Sequence, residues 1–349
     1  MRVLAVSSRL IIGAAAAIML TAADAPDSVE SEVANARRLA GTDFAGSLFI
    51  CDPGSTRIAD MLANGPAWLP PTQAFDNLWY VGNAFVGVWV LRTSDGLILF
   101  DAGQSESEVR DYLEPGLRSV GLDPRDIRYA IITHGHWDHY GGAKYLQERY
   151  GTRIGLSAED WDMLARQPPG SLARAPYFGE DQADRPPPKR DLVVADGQKL
   201  ALGDTEVTLF VTPGHSPGTV SALIPVREGD DTHVLSLLGG TAFPRTLQSD
   251  GMMGGLLEFE KSVERLRELS KQAGAAGLLN THIFVDGSDV RLSKARQRKP
   301  GEPNPFVLGV DKVERYYGMF LSCLRAAKLR PPAEDAGPPM PSASADGDS

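Results

Sequence analysis

The feature that most constrains this chain is a short stretch in which three of its six histidines fall within six residues. The stretch reads Thr133-His134-Gly135-His136-Trp137-Asp138-His139-Tyr140. The apolar run before it, residues 127–132, is typical of a buried strand, and residues 141–150 are typical of a helix. Four ligand-type side chains on one tight loop cannot all reach a single ion without strain. The pattern therefore predicts two adjacent metal ions, one held by His134 and His136 and the other by Asp138 and His139.

Two further histidines follow predicted strands. His215 lies in the turn Thr212-Pro213-Gly214-His215-Ser216-Pro217-Gly218, directly after the strand pattern of residues 207–211. His282 ends another apolar stretch, residues 277–282. Ligands gather at the carboxyl ends of strands in layered α/β folds, so these positions are of the same kind as the metal loop. By contrast, His233 follows a polar stretch and is predicted to be a solvated surface residue.

The remaining pattern is that of a layered α/β protein. Short strand patterns separated by turn residues cover 78–81, 85–91 and 96–101, the last of them ending at Asp101. After them, strand and helix patterns alternate. Longer helical patterns cover residues 105–120, 257–273 and 310–327.

The first 25 residues are typical of a signal peptide. Arg2 and Arg9 precede the apolar run of residues 10–20, and Ala23-Asp24-Ala25 fits a cleavage site. The run is short for a membrane span, so no stable membrane insertion is expected after cleavage, and an uncleaved anchor is the alternative. The sequence thus predicts an exported protein, periplasmic or secreted.

The pattern divides the remaining chain into three parts. Residues 26–70 form an N-terminal extension, residues 71–330 the main domain, and residues 331–349 a tail whose Pro, Ala, Ser and Asp content predicts disorder. A proline-bracketed loop at residues 167–190 interrupts the domain. Loops of this length are often functional, so Tyr177 and Phe178 are candidate substrate contacts.

The cysteine count bears on disulfide formation, and the net charge bears on the kind of partner. Cys51 and Cys323 are the two cysteines of a chain predicted to be exported, and we expect them to form a disulfide. The net charge of −10 argues against a nucleic-acid partner. A small-molecule substrate is expected, and the oligomeric state stays open.

The motif His134-x-His136-x-Asp138-His139, with His215 and His282 downstream, resembles that of the metallo-β-lactamase superfamily over roughly residues 74–325. The resemblance implies an αββα sandwich, in which two mixed β-sheets face each other and helices lie outside. It also implies that His134, His136 and His215 hold one metal and that Asp138, His139 and His282 hold the other. Asp101 then corresponds to an aspartate that supports the metal loop.

One family feature is missing. Many superfamily hydrolases carry a metal-bridging aspartate at a position that matches residues 237–244, where this chain has Leu-Leu-Gly-Gly-Thr-Ala-Phe-Pro. Neither a carboxylate nor a cysteine is present there, so the chain is most similar to the β-lactamase subclass without a cysteine ligand. Five nitrogens and one carboxylate suit two zinc ions, and iron stays open.

The resemblance implies an exported dinuclear zinc hydrolase that uses a metal-bound hydroxide, with Asp138 orienting the nucleophile. Its substrate would be a small-molecule amide or ester, and the subclass match favours a β-lactam. Substrate contacts in that subclass include small hydroxyl residues, which only Thr241 supplies here, and Arg245 is the nearby cation. Two alternatives stay open: a lactone or ester hydrolase of the same fold, and a non-catalytic metal-binding protein.

Overall fold

The structure is a computed structural model, and it describes residues 28–63, 67–166, 185–251 and 253–330. The predicted signal peptide, the predicted disordered tail and the candidate substrate contacts Tyr177 and Phe178 all lie outside these residues. No helix in the described ranges is both long enough and apolar enough to span a bilayer.

The first sheet contains seven strands in sequential order. They are β1 (Thr72–Phe75), β2 (Leu78–Gly82), β3 (Gly87–Thr93), β4 (Gly96–Phe100), β5 (Ile127–Ile131), β6 (Arg153–Ser157) and β7 (Leu192–Val194). Strands β1 to β4 pair antiparallel, as their short turns require, whereas β4 to β7 pair parallel. Longer connections separate the parallel strands, as parallel pairing requires.

The second sheet contains five strands in the order β12-β11-β10-β9-β8. They are β8 (Gln198–Leu202), β9 (Thr205–Val211), β10 (Val220–Glu228), β11 (Asp231–Leu237) and β12 (Gly277–Leu279). Pairing is antiparallel except between β11 and β12. Both sheets are therefore mixed.

The helices and helical turns of the described chain are named in chain order. They are α1 (Val29–Ala40), α2 (Arg57–Ala63), α3 (Glu106–Glu108), α4 (Glu114–Ser119), α5 (Trp137–Tyr140), α6 (Ala143–Tyr150), α7 (Ala158–Arg166), α8 (Leu256–Gln272), α9 (Ile283–Asp286), α10 (Ser288–Gln297) and α11 (Val310–Leu329). A π-helical turn, Val109–Leu113, joins α3 to α4, and Ala45–Cys51 forms a 3-10 helix.

The two sheets pack face to face. Trp89 and Phe100 of the first sheet share one buried cluster with Leu209, Ile224 and Leu235 of the second. Each of these side chains is fully buried. Because these apolar side chains of the two sheets pack together away from water, the central layer holds the sandwich together.

Helices cover both outer faces. Leu117 of α4, Leu146 of α6 and Trp161 of α7 belong to the buried cluster on the outer face of the first sheet. Phe259 of α8 and Phe320 of α11 belong to the cluster on the outer face of the second. The αββα sandwich inferred from the sequence motif is therefore confirmed.

The N-terminal extension is packed onto the sandwich. Helix α1 begins at a capping box formed by Ser28 and Ser31 and lies against α11. The predicted disulfide is present, with the Cα atoms of Cys51 and Cys323 4.6 Å apart. It attaches the end of the 3-10 helix to α11. The proposed division of the chain at residue 70 stays a prediction.

Candidate metal centre

The histidine loop begins where β5 ends, at the edge where the two sheets meet. The backbone N–H of Val220, in the second sheet, donates to the carbonyl of Thr133 over 2.7 Å. This bond ties the start of the loop to the opposite sheet. The loop then enters the short helix α5, which carries Asp138 and His139. All four ligand-type side chains of the motif are thus delivered to one edge of the sandwich.

The structure brings together His134, His136 and His215. The Nε2 atom of His215 lies 3.0 Å from Nε2 of His134 and 3.1 Å from Nδ1 of His136. Nitrogens bound tetrahedrally at zinc-like bond lengths lie about 3.4 Å apart, so the observed spacing fits one small ion. The loop after β5 and the turn between β9 and β10 supply these ligands.

A second group consists of Asp138, His139 and His282. The Nε2 atoms of His139 and His282 lie 3.2 Å apart. The Oδ2 atom of Asp138 lies 3.5 Å from the first and 3.4 Å from the second. His282 is brought here because β12 ends three residues before it and pairs with β11. Both groups match the ligand sets inferred from the motif.

The outward nitrogens of three histidines are held by backbone carbonyls. The Nδ1 atom of His134 lies 2.9 Å from the oxygen of Gly239, that of His215 2.7 Å from Ala242, and that of His282 3.0 Å from Phe85. A carbonyl can only accept, so each Nδ1 donates, and each Nε2 lone pair points into the centre. Such contacts fix the tautomer and orientation that a metal ligand needs.

Asp101 holds the outward nitrogen of a fourth histidine, His139. Its Oδ2 lies 2.6 Å from Nδ1 of His139, and its Oδ1 accepts from the backbone N–H of Thr133 over 2.7 Å. Asp101 is fully buried and has a φ of +68°, the only positive φ of a non-glycine residue in the described chain. Strained backbone of this kind clusters at functional sites. The structure thus places Asp101 behind the metal loop, where the motif predicted it.

The charge states of four of the candidate ligands suit a dication. Burial lowers the pKa of His136 to about 4 and holds the pKa values of His134 and His215 well below their usual range, so these rings are neutral at pH 7. Burial opposes ionisation of Asp138, but His139 and His282 outweigh it and hold its pKa below the ordinary value. Neutral imidazoles and an ionised carboxylate are the forms that bind metals.

The position of the missing aspartate is closed by packing. A Cβ atom on Gly240 would lie 2.5 Å from the ring carbons of His215, and one on Gly239 would lie 1.9 Å from the carbonyl oxygen of Val220. Neither position accepts a side chain unless the ligand loop moves. The backbone here instead supports the ligands, through the Gly239 carbonyl.

Asp160 is a contributor that sequence reasoning missed. One of its carboxylate oxygens accepts from the N–H of Gly135 over 2.8 Å and from the hydroxyl of Ser216 over 2.7 Å. The other accepts from the N–H of Gly218 over 2.7 Å. Burial raises the pKa of Asp160 to about 6. This carboxylate therefore joins the loop of His134 and His136 to the turn of His215.

Glu108 is a second buried carboxyl that the sequence did not reveal. Its Oε2 accepts from the N–H of Gln104 over 2.6 Å. Burial, with a smaller contribution from the charge of Asp138, raises its pKa to about 7, while hydrogen bonds from Gln104 and the charge of Arg185 oppose the shift. Its only sequence signal is a place on the helix after Asp101. Glutamates are common on helices, so this position alone does not indicate a buried carboxyl.

A cavity of about 320 Å³ opens over both ligand groups. Thr241 lines it, as expected for a substrate contact, and is buried. His233, predicted to be a surface residue, is partly exposed, but it lies in a strand and not in a solvated loop. It pairs with Val226 inside β11, and its side chain is 22% exposed. Strand β11 begins at Asp231, so it includes polar residues that precede His233.

Comparison with known proteins agrees with this geometry. Residues 81–228 match the family model of the metallo-β-lactamase superfamily. The chain is 25% identical over 242 residues to the acyl-coenzyme A thioesterase MBLAC2 of Gallus gallus, covering 65% of this chain and 81% of that protein. It is also 25% identical over 200 residues to the N-acyl homoserine lactonase AttM of Azorhizobium caulinodans, covering 53% of this chain and 66% of that protein.

A solved structure shows the same architecture. It is that of BJP-1, a subclass B3 metallo-β-lactamase of Bradyrhizobium japonicum. The two share 25% of their sequence with a TM-score of 0.59, over 73% of this chain and 92% of that one.

Proposed function

Because this chain carries a domain of the metallo-β-lactamase superfamily, we propose that it is a zinc-dependent hydrolase of a small-molecule ester or amide. The observation that carries the proposal is the convergence of two ligand groups beneath one cavity. Within each group, the ligand atoms lie within 4.8 Å of one another. A structural zinc site is closed by four protein ligands, whereas each group here supplies three and faces open space. Such a site suits catalysis.

Zinc fits the donor set because five imidazoles and one carboxylate are typical zinc ligands. His134, His136 and His215 would hold one ion, and Asp138, His139 and His282 would hold the other. When bound, such ions supply Lewis acidity and lower the pKa of water toward neutrality.

Groups of the protein itself would orient the attacking water, bind the substrate and hold the metal ligands in place. Asp138 lines the cavity as an ionised carboxylate and can accept a hydrogen bond from the attacking water, which orients it. The Thr241 hydroxyl can donate to an oxygen of the substrate. The carbonyls behind the histidines and Asp101 hold the ligands rigid, so little reorganisation is needed during the reaction.

Two substrate classes have specific support. A β-lactam is favoured by the likeness to the subclass B3 enzyme and by Thr241 in the cavity. An ester, thioester or lactone is favoured by the likeness to a thioesterase and a lactonase. The apolar lining of the cavity favours the second class.

The first test is metal analysis with a substrate screen. Protein loaded with zinc and passed through a desalting column should retain two zinc ions per chain and hydrolyse at least one β-lactam, lactone, ester or thioester. Retention of one ion or fewer would contradict the two-metal assignment. Two retained ions without any hydrolysis would instead support a non-catalytic metal-binding protein.

The second test separates the roles of two ligands. His215→Ala should weaken metal binding, since it removes one of three neutral ligands from the all-histidine group. Asp138→Asn should lower turnover by more than about a hundredfold, because it removes the carboxylate that orients water. His233→Ala is the matched control, since His233 lies on β11 and does not line the cavity. Wild-type turnover by Asp138→Asn would contradict the proposed role.

We also propose export. The disulfide between Cys51 and Cys323 supports it, because disulfides persist in oxidising compartments. Cell fractionation of the expressed full chain should place the protein outside the cytoplasm and show a mature N-terminus after Ala25. A cytoplasmic protein that retains Met1 would contradict this.

A further inference from the structure

The lining of the cavity over the metal centre is almost entirely apolar. Eleven residues other than the six ligands line it, and ten of these are apolar, Thr241 being the exception. No lysine or arginine occurs among these described lining residues. The cavity therefore offers hydrocarbon surface to the part of the substrate that does not react.

One wall of the cavity is a series of aromatic rings that ends in the N-terminal extension. The ring of Phe85 packs on His282 with centroids 4.7 Å apart, and Phe284 lies 5.7 Å from Phe85. Phe49 of the extension continues the series, 5.6 Å from Phe284. An aromatic surface thus runs from a metal ligand to the extension. Offset and tilted rings at such spacings bind alkyl and aryl groups well.

This wall is held in place by several contacts. Phe49 lies two residues before Cys51, which is bonded to α11. The carbonyl of Cys51 accepts from Arg330 over 2.7 Å. The guanidinium of Arg57 lies 5.2 Å from the ring of Phe49 and donates to the carbonyl of Gly46 over 2.8 Å. The guanidinium also lies 3.8 Å from Asp289 of α10, which is its ionic partner, and Arg57 does not line the cavity.

The rim of the cavity is apolar as well. Ile58 and Met253 both line it and are 38% and 46% exposed. Grouped apolar side chains open to water mark ligand-binding grooves. A bound chain that extends past the metal centre would cover them.

This composition matters for the choice of substrate. A substrate with a carboxylate beside its scissile bond needs a cation or several donors to hold that charge, since an unpaired charge on an apolar surface is costly. Apart from the six candidate metal ligands, the lining residues that the structure describes supply only the Thr241 hydroxyl as a side-chain donor. An uncharged hydrocarbon substituent meets no such cost.

We propose that the site hydrolyses esters and lactones whose acyl part carries an uncharged alkyl chain, and that the chain lies against Phe49, Ile58 and Phe284. This inference rests on the proposed hydrolase function. In the reaction, the oxygen of water joins the acyl carbon, the bond from that carbon to the alcohol oxygen breaks, and one water proton goes to the alcohol. An ester gives a carboxylic acid and an alcohol, whereas a lactone opens to a single hydroxy acid.

The kinetic test uses a series of p-nitrophenyl esters, from acetate through butyrate and hexanoate to octanoate. Each methylene buried against the wall should raise kcat/KM of the zinc-loaded protein by up to about fourfold, until the cavity is filled. The Ile58→Asp variant should lose most of this dependence on chain length, because it places a charge on the rim. Val290→Asp is the matched control, since Val290 is 53% exposed and lies outside this cavity.

A binding test separates the inference from the hydrolase function. Metal-free protein should bind the neutral dye N-phenyl-1-naphthylamine, with octanol but not butanol displacing it, and Ile58→Asp should bind it at least about tenfold more weakly than Val290→Asp. Dye binding without hydrolysis of any ester, lactone, thioester or β-lactam would support the apolar site and contradict the hydrolase. Equal rates on acetate and octanoate, a faster reaction with benzylpenicillin than with any ester, or no dye binding would overturn the inference.

Discussion

The residues that decide the geometry of the centre include several that face no substrate. Asp101 fixes the ring of His139 from within a strained backbone position, and Asp160 fixes two ligand loops at once. Buried carboxylates with several donors are costly to alter, because an Asn or Ala in their place leaves an N–H group without an acceptor. At this scale, the centre depends on its supporting hydrogen bonds as much as on its ligands.

Asp160→Asn tests this support. In either orientation of the amide, its NH₂ group faces a backbone N–H, of Gly135 or of Gly218. We expect metal binding to weaken by about tenfold to a hundredfold, and the free energy of unfolding to fall by about 1–3 kcal/mol. Zinc titration and chemical denaturation measure the two effects.

Asp162→Asn is the control for that substitution. Asp162 lies on the same helix, 54% exposed, and pairs with Arg190 at the surface. Surface pairs of this kind contribute little to stability. Wild-type zinc affinity in Asp160→Asn would show that the two loops hold their positions without the carboxylate.

Glu108→Gln tests the buried carboxyl by its pH dependence. The pKa of Glu108 is raised from 4.5 to about 7 by burial. Its protonated form therefore favours folding, and that contribution is lost as pH rises from 4.5 through 7. In metal-free protein, the stability of the variant relative to wild type should grow across this window by up to about 3 kcal/mol.

Denaturation curves of both proteins at several pH values measure this difference. The amide can still accept from the Gln104 N–H, so the fold is retained. Glu106→Gln, on the same turn, is the control for losing a carboxylate there. A constant difference between pH 4.5 and 7 would show that Glu108 is not buried as described.

At the scale of elements, the centre is built from strand ends and the short helices that follow them. Strand β5 leads into α5, β12 leads to His282 and α9, and the turn between β9 and β10 carries His215. The extension adds the 3-10 helix Ala45–Cys51 as a wall of the cavity. This 3-10 helix does not pair with a strand of either sheet. The disulfide between Cys51 and Cys323 bonds it covalently to α11.

Replacing both Cys51 and Cys323 by serine should lower the free energy of unfolding by about 2–4 kcal/mol. The bond spans 272 residues of sequence, so it restricts the unfolded chain strongly. Denaturant titration of the oxidised wild type and the double variant measures the loss. Dithiothreitol should bring the wild type to the stability of the variant and leave the variant unchanged. A wild type indifferent to reduction would contradict this role.

At the scale of the whole molecule, the two ligand groups join the two halves of the sandwich. His134, His136, Asp138 and His139 follow the first sheet, whereas His215 and His282 follow strands of the second. A metal in either group therefore bridges the sheets at one edge. Binding to the folded state alone stabilises that state, so metal content should be visible in global stability.

Removing the metal should lower the melting temperature, and added zinc should restore it. With free zinc at about a hundredfold over its dissociation constant, the expected gain is about 2.7 kcal/mol for one site. Calorimetry of chelator-treated and zinc-loaded protein measures it. His215→Ala should retain a smaller gain, from the group of Asp138, His139 and His282. An identical melting temperature with and without zinc would contradict metal binding by the folded chain.

Much of the architecture was available from local sequence. The strand before the histidine loop, the strands at 78–81, 85–91 and 96–101, and the long helix near the C-terminus all follow from short-range apolar patterns. These were found close to their predicted bounds. Boundaries differed by a few residues at glycines, as in the helix predicted at 141–150, which begins at Ala143 because Gly142 is its N-cap. The motif also predicted the six residues that the fold brings together in two groups, because metal chemistry restricts residue type strongly.

Other parts of the site depend on contacts that no local pattern encodes. Asp160 looked like the start of a helix, and its partners Gly135 and Gly218 lie 25 and 58 residues away. Phe49 and Ile58 belong to an extension whose sequence indicated no function, yet they line the cavity because the disulfide and α11 bring that extension over the metal centre. Local sequence thus predicts the two candidate ligand groups and their order along the chain. Their surroundings follow only from the folded structure, because burial and charge in the cavity arise from residues that meet only when both sheets have closed.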